Sequence, residues 1–143
     1  MKKKFVSVKF KNKFTKKKRQ WGDEIVLNVI SKILSLKILK IKKGKKGGLQ
    51  FHRKKNECGI LLKGKLLVRY SPNGKVLKTK TLKKGDVFHF PPNSIHQEQA
   101  LSNCEIIEAS TPHFNDRVRV EKMFNLSEEK GLKTTSLKDI VLK

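Results

Sequence analysis

The sequence has few of the residues that would indicate a cross-linked or membrane-bound protein. Only two of its 143 residues are cysteines, Cys58 and Cys104, and they match no metal-binding spacing. We therefore expect ordinary reduced thiols, which are typical of a cytoplasmic protein. No apolar run is long enough for a signal peptide or a membrane span. The sequence thus predicts a soluble, unprocessed domain without a membrane partner.

Acidic residues are also scarce, and this gives the chain a strong positive charge. The sequence has 35 Lys and Arg but 12 Asp and Glu, a formal net charge of +23. Such a field attracts polyanions. Nearly all of the charge is lysine spread along the chain, whereas a dedicated nucleic-acid binder more often has clustered arginines and stacking aromatics. We therefore favour small anionic partners over nucleic acid.

Short apolar stretches with turn residues between them predict an all-β domain rather than helices. Nine closely spaced strands of this kind favour a sandwich or closed barrel, because closure removes exposed sheet edges. The candidate strands are EIVLNVI (24–30), LSLKILKIK (34–42), LQFH (49–52), CGILLKGK (58–65), LLVRYS (66–71), KVLKTKTL (75–82), DVFHF (86–90), IHQEQ (95–99) and CEIIEAS (104–110).

The two ends of the chain differ from this pattern. Residues 1–20 form a basic arm in which FVSVKF could add an edge strand, and residues 21–120 form the barrel. The tail, residues 121–143, carries the only helix-like pattern, with a turn beginning at Ser127 and a weakly amphipathic LKDIVLK. The turn Ser71-Pro72-Asn73-Gly74 predicts a tight hairpin.

Four side chains are candidate metal ligands. Gln50 and His52 lie two apart on a strand and therefore share a face, Glu57 begins the returning strand, and His96 follows a Pro-Pro turn. Two imidazoles, a carboxylate and an amide oxygen suit one divalent transition metal, and the ligand types alone do not choose among Zn, Mn, Fe and Ni. Gln50 either ligates the ion or bonds to a ligand. The alternative is a hydrogen-bonded polar cluster without a metal.

These residues resemble the two motifs of the cupin superfamily. The first motif, G-x5-H-x-H-x3,4-E-x6-G, is similar to the run from Gly44 to Gly64, with Gln50 at its first histidine. The second, G-x5-P-x-G-x2-H-x3-N, is similar to Gly85, Pro91 and His96, with Asn93 and Ala100 replacing its inner glycine and final asparagine. The resemblance implies a single cupin β-barrel, that is, a double-stranded β-helix or jelly-roll, with a short C-terminal helical segment.

A narrower resemblance is to the cupin domain of type II mannose-6-phosphate isomerases and mannose-1-phosphate guanylyltransferases. The run LQFHRKKNE matches their Q-x-H-x4-E pattern, and IIEASTPHFNDRVRVE (106–121) is similar to the end of that domain. Two features differ: Cys58-Gly59 replaces the aromatic after the glutamate, and Lys-Met-Phe follows VRVE. The resemblance implies a sugar-derived substrate.

Other polar residues have weaker assignments. Glu98 shares the inward face of His96 and is a candidate acid or base. His113, Arg117 and Arg119 follow the last predicted strand and could hold a phosphate or carboxylate over the pocket mouth, or form dimer contacts. His89 is expected on the face opposite Phe88 and Phe90, away from the site.

Three functions fit these predictions. The leading one is a metal-dependent enzyme that isomerises, epimerises or eliminates a small anionic, sugar-derived substrate by proton transfer. The second is a non-catalytic sugar- or metabolite-binding module. The third is an Fe(II)-dependent dioxygenase, since two histidines and a carboxylate can hold that ion with open positions. We also expect a homodimer.

Overall fold

The computed structural model describes residues 2–132, almost all of whose regular structure is antiparallel strand. No helix in this part of the chain is long and apolar enough to cross a membrane. The strands, in chain order, are β1 (Thr15–Arg19), β2 (Gly22–Ile30), β3 (Leu34–Ile41), β4 (Gln50–His52), β5 (Glu57–Lys63), β6 (Leu66–Ser71), β7 (Lys78–Leu82), β8 (Val87–Phe90), β9 (Ile95–Ala100), β10 (Cys104–Ser110) and β11 (Arg117–Arg119). A 3₁₀ helix follows at Glu121–Phe124.

The strands form two sheets that enclose the core. One sheet has the order β1-β2-β3-β10-β5-β8 and the other the order β11-β4-β9-β6-β7. The chain passes repeatedly from one sheet to the other, as in a jelly-roll barrel. The predicted fold class is therefore confirmed, and each of the nine predicted strands is present. The sequence pattern missed β1 and β11, because a five-residue strand of exposed basic residues and a three-residue strand show no clear alternation.

The inward face of the larger sheet changes from apolar to polar along its strands. On β3 and β10, which alternate between buried and more exposed residues, Leu39 lies opposite Ile106, whereas Lys37 lies opposite Glu108 one step further along the same face. The apolar end belongs to a core that includes Leu61, Leu66 and Phe88. Burying each large side chain there contributes about 1.5–3 kcal/mol. The polar end lines a pocket, so one alternating pattern builds both the core and the site.

Gly59 explains one departure from the isomerase-like pattern. It lies on β5 directly opposite Phe88 of β8, and a Cβ added to Gly59 would lie 2.4 Å from the Phe88 ring. The aromatic ring beside β5 is thus that of Phe88, which belongs to the neighbouring strand β8. A larger residue at position 59 would compete with Phe88 for the same space.

Asn93 explains a second departure. It adopts a left-handed conformation with φ of 65°, in the turn where the cupin pattern has glycine. Asparagine tolerates this conformation better than other residues with a side chain. The amide of Ser94 bonds back to the carbonyl of Pro91 at 3.1 Å, so the turn still delivers His96 to the start of β9.

Two strand predictions were misplaced. The N-terminal edge strand is β1, which pairs with β2, whereas residues 2–14 contain no strand and the FVSVKF residues are exposed. The strand predicted from Lys75 begins only at Lys78, because the Asn73 side chain accepts the amides of Lys75 and Val76 at 2.9 and 3.1 Å. The hairpin is therefore longer than the tight turn that was expected.

Only part of the predicted C-terminal helical segment lies within the described residues. The 3₁₀ helix lies within the predicted C-terminal helical segment but before the turn expected at Ser127, and residues 126–129 have no regular structure. The segment LKDIVLK lies outside the described residues. The division into residues 1–20, 21–120 and 121–143 stays a prediction, although β1 already extends the sheet into the first of these ranges.

Candidate metal centre

The four predicted ligand residues lie together at the polar end of the barrel. Glu57 Oε1 is 3.1 Å from His96 Nε2 and 4.0 Å from His52 Nε2. The amide nitrogen of Gln50 lies 3.5 Å from His52 Nε2, and Gln50 is directly opposite His96 in the pairing of β4 with β9. All three residues of the His52, Glu57 and His96 group are buried. The spatial convergence expected from the sequence is thus present.

The Nδ1 atom of each histidine already forms a hydrogen bond within the protein. Asp116 Oδ1 accepts a hydrogen bond from His52 Nδ1 at 2.9 Å, and the carbonyl of Ser94 accepts one from His96 Nδ1 at 2.9 Å. This assignment leaves the two Nε2 lone pairs facing Glu57 Oε1. Phe90 stacks on the His96 ring with 4.0 Å between centroids and holds its orientation.

This donor set fits a cation. When both rings are neutral, three electron-pair donors face one another, and a proton, a bound water or a positive ion can satisfy such an arrangement. Ligands about 2.0–2.2 Å from a shared ion lie roughly 3 to 4 Å apart, which is the range of the distances from Glu57 to the two histidines. The His52, Glu57 and His96 side chains could therefore hold a metal ion. For Gln50 to join them through its oxygen, its amide must turn by about half a rotation.

Burial sets the charge of His52. It lowers the pKa of His52 to about 4, an effect that the carboxylates of Glu57 and Asp116 oppose only in part. His52 is therefore neutral at neutral pH and keeps its Nε2 lone pair, which is the form that ligates metals. Burial alone would raise the pKa of Glu57, but a hydrogen bond from His96, which requires a proton on its Nε2, and the ammonium of Lys55 hold it well below its ordinary range, so this carboxylate is ionised.

Three residues that surround these side chains were not predicted from the sequence. Lys55, in a turn interpreted as merely polar, is 8% exposed, and its Nζ contacts Glu57 Oε2 and lies 3.2 Å from Glu108 Oε1. Asp116 Oδ2 accepts the backbone amides of Lys54 and Lys55 at 2.7 and 2.6 Å. Glu108 could have been found, because it alternates inward with Ile106; nothing in the sequence pattern distinguished Lys55 or Asp116.

Glu98 lies on the wall of the same pocket, on the face predicted from His96. Burial, together with the carboxylates of Glu108 and Glu57, raises its pKa to about 8. The ammonium of Lys55 opposes this effect only in part. A carboxyl group in this setting can hold or release a proton near neutral pH.

The two arginines behave differently from each other. Both lie on β11, where Arg117 is opposite His52 and Arg119 is opposite Gln50, so they belong to the barrel rather than to a segment that follows it. The Arg119 side chain is 1% exposed and donates from Nε and Nη2 to Glu121 Oε1, which ties it to the protein. Arg117 Nε and Arg119 Nη1 are both buried without a hydrogen-bond partner among residues 2–132, but the other two nitrogens of Arg119 are bonded to Glu121.

Two cavities meet at these residues. An inner cavity of about 120 Å³ contains the His52, Glu57 and His96 group together with Glu98 and Glu108. An outer cavity of about 540 Å³ shares Lys37, His52, Lys55 and Arg117 with it and adds Lys17, Lys18 and Arg19. The inner cavity is therefore lined by both carboxylates and cationic side chains, whereas the outer cavity is mainly basic.

Three further predictions concern residues outside the inner cavity. His113 lines the outer cavity only, and its Nδ1 lies 2.9 Å from Thr111 Oγ1. His89 is exposed on the opposite face of β8 from Phe88 and bonds to Asn56 at 2.7 Å, as expected for a residue away from the site. Cys58 is an exposed free thiol on the face opposite Glu57, and Cys104 is a buried free thiol.

Comparison with known proteins agrees with this architecture. The Cupin family model matches residues 32–131, so the chain belongs to the cupin family. No curated protein matched the sequence.

Solved structures share the fold at low sequence identity. The capsular polysaccharide assembling protein CapF from Staphylococcus aureus is 16% identical with a TM-score of 0.67, over 78% of this chain and 35% of that one. The oxalate decarboxylase of Lactobacillus farciminis, in a formate complex, is 18% identical with a TM-score of 0.62, over 80% and 36%. This chain thus spans about a third of the length of these proteins.

Proposed function

We propose that this chain is a metal-dependent cupin enzyme that acts on a small anionic, sugar-derived substrate by proton transfer. The observation that carries the proposal is the convergence of Glu57 Oε1 with the Nε2 atoms of His52 and His96 at the end of a polar pocket. The Q-x-H-x4-E run of the mannose-6-phosphate isomerase cupin domain supports the choice of a sugar phosphate or related acid as substrate.

In this proposal Gln50, His52, Glu57 and His96 hold one divalent transition metal. The ion would act as a Lewis acid that polarises a substrate carbonyl and acidifies the adjacent C–H. Asp116 and the Ser94 carbonyl fix the two imidazole rings, and such outer partners raise the basicity of the ligands. The set is compatible with Zn, Mn, Fe and Ni, as stated above.

The basic outer cavity supports an anionic substrate. Arg117 is next to His52 across the β4–β11 pairing, where opposite side chains lie about 4.5–5.5 Å apart. Its buried Nε lacks a partner among residues 2–132, so a phosphate or carboxylate could complete its hydrogen bonding. His113 could contribute at the outer wall, whereas Arg119 bonds to Glu121 and packs against Gly48, where an added Cβ would lie 2.2 Å from its Nε.

Glu98 is the proposed acid or base. It lies on the pocket wall and on the same face as His96, so it can reach a substrate bound beside the ligand residues. Replacing Glu98 by Gln should reduce turnover by roughly 10²–10⁴-fold while metal binding is retained. Glu105→Gln, on the outward face of β10, is the matched control and should leave turnover unchanged.

The test is a screen of sugar phosphates, uronates and small carboxylates against the protein with and without added Mn²⁺, Zn²⁺, Fe²⁺ or Ni²⁺. Metal-dependent turnover that Glu98→Gln removes supports the proposal. A ligand-induced thermal shift without turnover would replace it by the binding module, and oxygen uptake with Fe²⁺ would replace it by the dioxygenase.

A cytoplasmic location and a homodimer also remain part of the proposal. The FVSVKF residues are exposed and apolar side chains alternate there with polar ones, so they could pair with a sheet edge of a second copy. Light scattering on a variant lacking residues 2–14 checks this, since loss of a wild-type dimer is expected.

A further inference from the structure

Lys55 is a buried cation beside the candidate metal centre. Its backbone amide is bonded to Asp116 Oδ2 at 2.6 Å, so the turn that carries it is fixed to the same carboxylate that orients His52. Its side chain is 9% exposed and ends between Glu57 and Glu108. Buried ammonium groups are costly unless they are paired, and here two carboxylates pair with one ammonium.

The two carboxylate oxygens of Glu57 have different partners, because Lys55 contacts only one of them. Oε1 faces His96 Nε2 at 3.1 Å and His52 Nε2 at 4.0 Å, whereas Oε2 contacts Lys55 Nζ. A glutamate that bonds through one oxygen to an ammonium has only its other oxygen to offer an ion. The contact therefore fixes how Glu57 presents itself to the pocket.

We propose that Lys55 is a positioning residue that restricts Glu57 to one metal-facing oxygen and weakens the affinity of the site for divalent cations. This inference rests on the proposed metal site. The ammonium and the ion share one carboxylate and carry the same sign of charge, so each opposes the other. In the metal-free protein Lys55 instead pairs with both Glu57 and Glu108, which keeps the pocket assembled without an ion.

Removing the charge of Lys55 should change the stability of the metal-free protein and its metal affinity in opposite directions. Lys55→Met removes the charge and keeps an unbranched apolar side chain, so the metal-free protein should unfold at a lower temperature. The same variant should bind Zn²⁺ and Mn²⁺ more tightly, by about 5–150-fold, the range of typical coupling between two sites. A purely structural role for Lys55 would lower stability and metal affinity together.

The experiment measures Zn²⁺ and Mn²⁺ affinity by competition with a chromophoric chelator, and thermal unfolding with and without each ion. Lys55→Arg keeps the charge and should bind the ions as the wild type does. Lys37→Met removes another buried lysine of the same pocket, one that pairs with Glu24 at 3.1 Å, and should not tighten binding as much. The Mn²⁺ spin-resonance spectrum of Lys55→Met should differ from that of the wild type, because Glu57 Oε2 becomes available.

Each outcome has a separate meaning. If the wild type binds neither ion, the proposed metal site fails. If the wild type binds an ion and Lys55→Met binds it equally or less tightly, the role of Lys55 is wrong while the metal site stands. Should Lys55→Met not fold, Lys55→Gln removes the charge while it retains a hydrogen-bond donor, and it should also bind the ions more tightly than the wild type.

Discussion

Asp116 connects His52, a proposed metal ligand, to the turn beside it, so replacing Asp116 by asparagine is an informative perturbation. Its carboxylate accepts three hydrogen bonds, from His52 Nδ1 at 2.9 Å and from the amides of Lys54 and Lys55 at 2.7 and 2.6 Å. Burial would raise the pKa of Asp116, but these three donors lower it overall, so the group is ionised at neutral pH. An ionised carboxylate can accept all three bonds, whereas an amide cannot.

Asp116→Asn forces one of two losses. If the amide oxygen keeps the two backbone amides, its NH₂ group faces His52 Nδ1, and His52 must move its proton to Nε2, where it points at the metal site. If the amide is turned the other way, two backbone N–H groups lose their acceptor. A hydrogen bond to a charged group contributes about 1.5–3 kcal/mol, so the metal-free protein should lose roughly that much stability.

The larger effect should be on metal affinity. Loss of a carboxylate behind a ligating histidine typically costs about 10–100-fold, which is about 1.4–2.8 kcal/mol. Chelator competition measures the affinity, urea unfolding measures the stability, and the ¹⁵N shifts of His52 report its tautomer. Asp86→Asn is the control, because Asp86 also accepts a backbone amide, that of Lys83 at 2.9 Å, but does not line the pocket.

The reasoning fails if Asp116→Asn binds metal as tightly as the wild type while its stability falls. In that case Asp116 would stabilise only the turn at Lys54 and Lys55 and would not affect the metal site. The reasoning also fails if Asp86→Asn weakens metal binding to the same degree, since the effect would then not depend on His52.

Two further predictions concern packing and pH. Gly59→Ala should destabilise the protein by roughly 1–3 kcal/mol in urea unfolding, because its Cβ would lie 2.4 Å from Phe88. Gly47→Ala is the control and should leave the free energy of unfolding almost unchanged, because its Cβ meets nothing within 4 Å. Equal losses of stability in the two variants would contradict the packing argument. For Glu24, burial raises the pKa but Lys37 and Arg19 lower it overall below the ordinary 4.5. A lowered folded-state pKa means that this carboxylate stabilises the fold fully above about pH 4.5 and loses the contribution as pH falls through the folded value. Glu24→Gln should thus cost roughly 1–3 kcal/mol at neutral pH and nothing well below the lowered pKa, whereas Glu105→Gln, in an exposed pair, should cost less than about 1 kcal/mol at any pH. A cost for Glu24→Gln that does not vary with pH would contradict this.

The strands and the candidate ligand residues that have a local pattern could be located from the sequence. Alternation located β3 and β10, and the two-residue spacing of Gln50 and His52 placed both side chains on one face. The turn predicted around Asn93 correctly placed His96 at the start of the next strand. The fold class and the inward direction of these side chains could therefore be predicted from short stretches of chain.

What the sequence could not predict depends on contacts between distant residues. Asp116 meets His52 across 64 positions, and Lys55 meets Glu108 across 53, so neither pair has a shared periodicity that would reveal it. Arg119 was assigned to substrate because it is basic and follows the last predicted strand. Its burial against Glu121 becomes visible only once β11 pairs with β4.

The most direct test of the metal centre is elemental analysis of protein purified without added metal. About one equivalent of a divalent transition metal is expected in the wild type and in His89→Ala, which removes an exposed histidine outside the site. His52→Ala should lose that metal while it remains folded. A wild type that contains none and takes up none on reconstitution, or a His52→Ala protein that retains it, would contradict the account.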